Sequence, residues 1–293
     1  MINKILPILL FLHFSLFVIS CSSDNSQVNK DAIGMENLIG LDFTQSERDT
    51  LLPGLKVLKD QYDTLRTVAL DNSVPVPLYF DPRLPGQVLP TGKDSYRFQE
   101  FPTKRPQNIE ECAFYTIGQL AHLIRTRQVT SLELTTMYLE RLKRHGPTLE
   151  CVVTLTEELA LKQARRADKN IKAGRYLGPL HGIPYGAKDL LAVPGYKTTW
   201  GAMTHKDQVL DETATVVQKL ENAGAILVAK LTLGALAWGD VWYGGKTRNP
   251  WNTEQGSSGS SAGPGSATAA GLVAFAIGSE TWGSIVSPAD RNG

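Results

Sequence analysis

Beyond residue 108 the sequence predicts an α/β fold, a mixed and largely parallel sheet with helices over both faces. Short β-prone runs alternate there with amphipathic segments that begin at capping boxes. One run, Ala225-Ile226-Leu227-Val228-Ala229, is apolar without a break, as a strand buried on both faces requires. Strands separated by helices are joined by right-handed parallel crossovers. With 293 residues the chain can bury a sizeable core in one or two domains. No internal repeat is evident.

The first twenty residues stand outside that pattern. Lys4 precedes an apolar run from Ile5 to Ile19, the length of a secretory h-region and too short to span a bilayer comfortably. The run ends in Val18-Ile19-Ser20-Cys21, which resembles the lipobox of bacterial lipoproteins, where the cysteine is acylated and becomes the mature N-terminus. The expectation is a signal peptide over residues 1–20 and a lipid anchor on Cys21. That places the protein on a membrane of the bacterial cell envelope, periplasmic or surface-exposed. A plain cleaved signal with an incidental cysteine is the alternative. Residues 21–43 read as a polar tether.

Thr44-x-x-Glu47 is a capping box, and Leu55, Leu58, Tyr62 and Leu65 then repeat at helical spacing. Residues 72–108 carry seven prolines and read as an extended connector, because proline fixes φ and removes a ladder donor. Residues 44–108 are thus a helical and proline-rich extension. Thr116-x-x-Gln119 and Thr130-x-x-Glu133 head two further helices, and Gly146-Pro147 is expected to stop the second. Cys151 to Leu155 is β-prone. Glu157 to Ala173 reads as a helix with acidic residues in its first turn and Gly174 past its end. A strand is expected over residues 183–191, a helix over 214–223 closed by Gly224, and the buried strand after it.

Net charge is +1 and no Lys/Arg block stands out, so no nucleic-acid footprint is expected. The five histidines are scattered, and no His/Cys/Asp/Glu cluster has metal-ligand spacing, so no cofactor is implied. Cys112 and Cys151 read as ordinary buried thiols.

Residues 256–266 are glycine, serine, alanine and proline only, the composition of a flexible linker. The apolar segment Ala267 to Ile277 follows at once and ties the run to the core, so a Gly/Ser loop entering an apolar helix is expected there. Such a loop presents N–H groups and hydroxyls where a developing charge can be held.

Several segments together resemble the amidase signature family: residues 182–189 (Gly-Ile-Pro-Tyr-Gly-Ala-Lys-Asp), Asn249-Pro250-Trp251, Gly259-Ser260-Ser261, residues 269–273 and residues 278–285 (Gly-Ser-Glu-Thr-Trp-Gly-Ser-Ile). Any one is weak; their order and spacing over residues 110–293 make the composite specific. The resemblance implies a Ser–cisSer–Lys triad, with Ser284 as nucleophile, Ser260 as bridging serine after a cis peptide, and Lys188 as general base. Ser260 lies 24 residues before Ser284 (284 − 260 = 24), which leaves Ser257 and Ser258 as loop residues. The implied activity is hydrolysis of a small-molecule or peptide amide through an acyl-enzyme.

Lys188 can be a base at neutral pH only if burial disfavours its ammonium form, and its apolar neighbours Ala187, Leu190 and Leu191 permit that. Thr281, Trp282, Gly283 and the Ser284 N–H form the expected oxyanion loop. Ser261 either supports the lysine or caps its own loop. Trp282 replaces a glycine of the family pattern and either lines the acyl pocket or simply packs; Glu280 replaces an aspartate. Family members continue beyond the nucleophile loop, so residues 109–293 read as the N-terminal part of an amidase core, incomplete at its C-terminus.

Three competing readings remain. Gly259-Ser260-Ser261-Ala262-Gly263 matches a G-x-S-x-G elbow with Ser261 as nucleophile, but no strand precedes it and no histidine follows His205. The glutaminase component of a tRNA-dependent amidotransferase is another, disfavoured by the secretion signal. A catalytically inactive envelope lipoprotein that binds peptides or amides is the third.

Overall fold

The computed structural model describes residues 22–71 and 101–293, with isolated positions between them and side chains from residue 27 onward. The signal-peptide and Cys21 expectations lie outside the described residues. The chain divides into two compact units, Met1–Gly92 and Lys93–Gly293.

In the first unit two helices pack together, α1 (Ser22–Ile39) and α2 (Gln45–Arg66). The expected tether over residues 21–43 is therefore corrected: most of it is helical. Ala32 is buried, and Glu36 accepts the Arg48 guanidinium at 2.9 Å, anchors that composition alone does not reveal. The Thr44–Glu47 capping box starts α2, whose Leu58, Tyr62 and Leu65 are exposed.

The second unit begins before residue 108, where the sequence placed its boundary. Arg105 donates to the Gln128 carbonyl at 2.9 Å and pairs with Glu133 at 2.8 Å, which ties residues 101–108 to the core. Helices α3 (Ile117–Arg125) and α4 (Ser131–Leu149) both start at capping boxes. α4 does not stop at Gly146-Pro147 but runs to Leu149, and Glu150 ends it in the left-handed region. Strand β1 (Val152–Leu155) leads to helix α5 (Glu157–Lys172), strand β2 (Pro184–Lys188), helix α6 (Thr215–Asn222) and strand β3 (Ile226–Leu231). A two-stranded ribbon follows, β4 (Val241–Trp242) with β5 (Gly245–Lys246), then helix α7 (Ala262–Ala269), strand β6 (Phe275–Ile277) and helix α8 (Val286–Asn292).

The main sheet has the order β1-β3-β2-β6. β2 runs parallel to both β3 and β6, and β1 is antiparallel to β3, so the sheet is mixed and largely parallel. Every residue of β3 is buried. Ile226 and Val228 pack with residues of α4 and α5, while Leu227 packs with Val217 of α6 and Tyr185. The apolar segment 267–277 divides: α7 begins inside the Gly/Ser run at Ala262, the chain turns at Gly271 (φ +62°), and the remainder becomes β6. Cys112 and Cys151 are unpaired buried thiols, and burial pushes them up to about 11 and about 12.

Candidate active site

Lys188 is the last residue of β2, opposite Leu231 of β3. β6 runs parallel on the other side with Ala187 opposite Ile277, so the chain leaving β6 carries Ser279 alongside the end of β2. The third wall is the turn before α7, which holds Ser260 and Ser261 after a cis peptide between Gly259 and Ser260. Three segments distant in sequence thus meet at one strand end.

The Lys188 side chain has no exposed surface. Its Nζ lies 2.8 Å from Ser260 Oγ, 3.0 Å from Ser261 Oγ, 3.0 Å from Ser279 Oγ and 3.3 Å from the Ser279 carbonyl. Burial alone lowers its pKa to about 8, because the ammonium form loses hydration that neutral oxygens replace incompletely. Asp189, next in sequence, does not pair with it. The Asp189 carboxylate faces Lys230 at 2.8 Å, with both side chains fully buried, and accepts the Thr199 N–H at 2.8 Å. Lys230 Nζ also donates to the Lys197 carbonyl at 2.9 Å. Burial lowers the Lys230 pKa, and the Asp189 charge opposes that shift.

Ser261 is tied to both neighbouring segments. Its N–H donates to the Ser284 carbonyl at 2.9 Å, its hydroxyl donates to the Ser279 carbonyl at 3.1 Å, and that hydroxyl accepts the Ser279 N–H at 3.2 Å. Ser284 therefore sits beside the cluster, half-buried, and among the described residues its hydroxyl has no hydrogen-bond partner. Ser257 and Ser258 point elsewhere: Ser257 Oγ donates to the Ser258 carbonyl, and Ser258 Oγ meets Ser287 Oγ at 2.7 Å.

Of the loop before Ser284, Thr281 and Trp282 are exposed and Gly283 takes φ +83°, a left-handed conformation suited to glycine. The Glu280 carboxylate accepts the Ile285 N–H at 2.6 Å and the Val286 N–H at 2.8 Å. Bonds from the Val286, Ile285 and Gly283 N–H groups hold its carboxyl below the usual range. The Gly283 N–H, expected to face an oxyanion, is thus turned toward Glu280. Asn249 and Trp251 pin the far end of α8: Asn249 Nδ2 donates to the Arg291 carbonyl at 2.7 Å and the Trp251 indole to that of Asn292. Beside the cluster opens a cavity of about 610 Å³ lined by Ser261, Gly278, Phe275, Ile285, Phe114 and Trp251, among others.

Two contributors carry no assignment from the sequence. Ser279 stands inside a quoted motif, and only the parallel register of β2 and β6 places it on Lys188. Lys230 interrupts an apolar strand run, a signal of a buried, paired charge. No strand precedes Ser260, since residues 251–258 hold only an isolated bridge from Gly256 to Arg248, so a strand–turn–helix elbow is absent from these described residues.

A family model described as Amidase matches residues 133–293, more than half of the chain. The chain belongs to the amidase family. Among curated amidase relatives, a glutamyl-tRNA(Gln) amidotransferase component (its A chain) from Azoarcus sp. (strain BH72) is 40% identical over 181 residues, 61% of this chain and 37% of that protein. The native peptide amidase of Stenotrophomonas maltophilia superposes with a TM-score of 0.58 at 36% identity, covering 63% of this chain and 40% of that one. An amidase family protein from Bacillus anthracis str. Ames gives a TM-score of 0.57 at 30% identity, covering 62% and 38%. The chain therefore spans well under half the length of these amidases.

Proposed function

We propose that this chain carries the catalytic centre of an amide hydrolase. Ser284 is the nucleophile, Ser260 the proton relay and Lys188 the base. The observation that supports it most is a fully buried primary amine, with its pKa lowered to about 8, lying 2.8 Å from the hydroxyl of Ser260.

In this reading neutral Lys188 takes the Ser260 proton as Ser260 takes that of Ser284, and the Ser284 oxygen bonds to the amide carbon. N–H groups of Thr281, Trp282 and Ser284 hold the oxyanion, a contribution whose loss costs roughly 10²–10³ in rate. Collapse breaks the C–N bond, and the proton held on Lys188 returns through Ser260 to the leaving amine. Water then attacks the acyl-enzyme by the same relay, releasing the acid and restoring Ser284. Ser261 and Ser279 hold the Lys188 amine in line.

Labelling with a fluorophosphonate tests this: the wild-type chain is labelled at Ser284, and Ser284→Ala is not. An unlabelled wild-type chain would instead favour a binding protein without catalysis. The curated relatives' name supports a second reading, a component of an amidotransferase, which predicts glutamine hydrolysis in preference to hydrolysis of peptide amides. The apolar run before Cys21 supports an enzyme anchored by lipid in the bacterial envelope, which metabolic labelling with an alkynyl fatty acid checks through loss of label in Cys21→Ala.

A further inference from the structure

Two indoles stand in the open beside the proposed nucleophile. Trp282, two residues before Ser284, is 83% exposed, and Trp238 is 73% exposed. Their ring centroids are 6.1 Å apart with planes inclined at 33°, within the range of interacting aromatic pairs. They arrive from unrelated segments. Trp238 precedes Gly239, whose carbonyl lies so close to Gly259 that a Cβ there would collide with it. The Trp238 segment is therefore packed on the turn that carries Ser260.

Trp238 is also held outward by an unusual backbone. Leu236 and Ala237 have φ of +53° and +63°, two successive side-chain-bearing residues in the left-handed region. Such conformations are disfavoured and gather at ligand clamps and active sites, where the surrounding structure enforces them. A large apolar ring left in water gains nothing from the fold, whereas a glycine at position 282 would serve the loop equally well.

We propose that Trp238 and Trp282 form an aromatic wall that selects amides carrying a flat aromatic group on the acyl side. The inference rests on the amidase reading above. In that reading the loop bearing Trp282 faces the oxyanion, and the oxyanion is bonded to the acyl carbon. An indole on this loop consequently flanks the acyl substituent rather than the leaving amine. An aryl group laid on the wall covers indole surface that is otherwise wet, which a short alkyl chain cannot do.

The test compares kcat/KM of the 293-residue chain for 3-phenylpropionamide and propionamide. A ratio of roughly tenfold or more in favour of the phenyl compound is expected, on the order of what an apolar pocket gains from added apolar bulk. Trp282→Gly and Trp238→Ala collapse the ratio, and Trp282→Phe retains it. Binding is read separately in Ser284→Ala through indole fluorescence: 3-phenylpropionamide quenches it, propionamide does not, and adding Trp282→Gly abolishes the quench. Hydrolysis without a phenyl preference, a preference that survives both truncations, or no quench overturns the wall. Quenching without hydrolysis of either amide by the wild type overturns the amidase reading and leaves the wall standing.

Discussion

A lysine amine enclosed by four protein oxygens is a different reagent from a surface lysine. Its pKa of about 8 makes the neutral base available in the pH range where most proteins are stable. Because the neutral form is the active one, kcat/KM for an amide should rise with pH through an inflection near 8, as a pH–rate profile will show. Lys188→Met should lower kcat/KM by about 10²–10⁴-fold, the usual contribution of a positioned base.

The same shift has a consequence for stability. The folded state releases the Lys188 proton near pH 8 and the unfolded state near 10.5, so between those values the unfolded chain binds more protons and wild-type stability rises with pH. Below 8 the burial penalty is fully present. Thermal melts should therefore show Lys188→Met comparing best with wild type below pH 8 and losing ground steadily toward 10.5. A constant loss from unpaired serines shifts both ends equally and leaves that slope untouched.

At the level of elements, the site depends on two strand ends and one close backbone approach. β2 and β6 must be parallel and in register to bring Ser279 to Lys188, and the turn at Gly259 must pass against Gly239. Gly259→Ala places a methyl group into a backbone carbonyl that cannot swing aside. The expected cost is about 1–3 kcal/mol in urea unfolding, with loss of Ser284 labelling as Ser260 shifts. The Asp189–Lys230 pair fixes the neighbouring end of β3. Lys230→Met strands a buried carboxylate and should cost about 3–5 kcal/mol, whereas adding Asp189→Asn should restore part of it. Elements with strong local signals are legible: three capping boxes in the sequence are three capping boxes in the fold. Pro147 misleads because a proline in the last turn breaks few bonds, and packing of Leu149 carries α4 past it.

Across the whole molecule, the described surface carries more apolar area near the site than a stable monomer usually shows. Phe114 is 67% exposed, and Ile285, lining the same cavity, is 43% exposed. Patches of this kind drive association. Sedimentation of the purified chain should show concentration-dependent self-association that Phe114→Ser with Ile285→Ser weakens. Among the described residues no helix is long and apolar enough to cross a membrane. The division into two units is only partly written in the sequence. The prolines mark a connector, but the contacts of Arg105 decide that residues 101–108 go with the sheet.

The order of motifs along the chain was enough to name the family and to single out Lys188, Ser260, Ser261 and Ser284, because those signals are local strings at fixed spacing. Which hydroxyls surround the amine, which partner Asp189 takes, and where Trp238 meets Trp282 are questions of register between distant segments. Side-chain direction repeats every two residues along a strand, but the alignment of one strand against another is set by packing of the whole sheet. That alignment is where Ser279 and Lys230 acquire their roles.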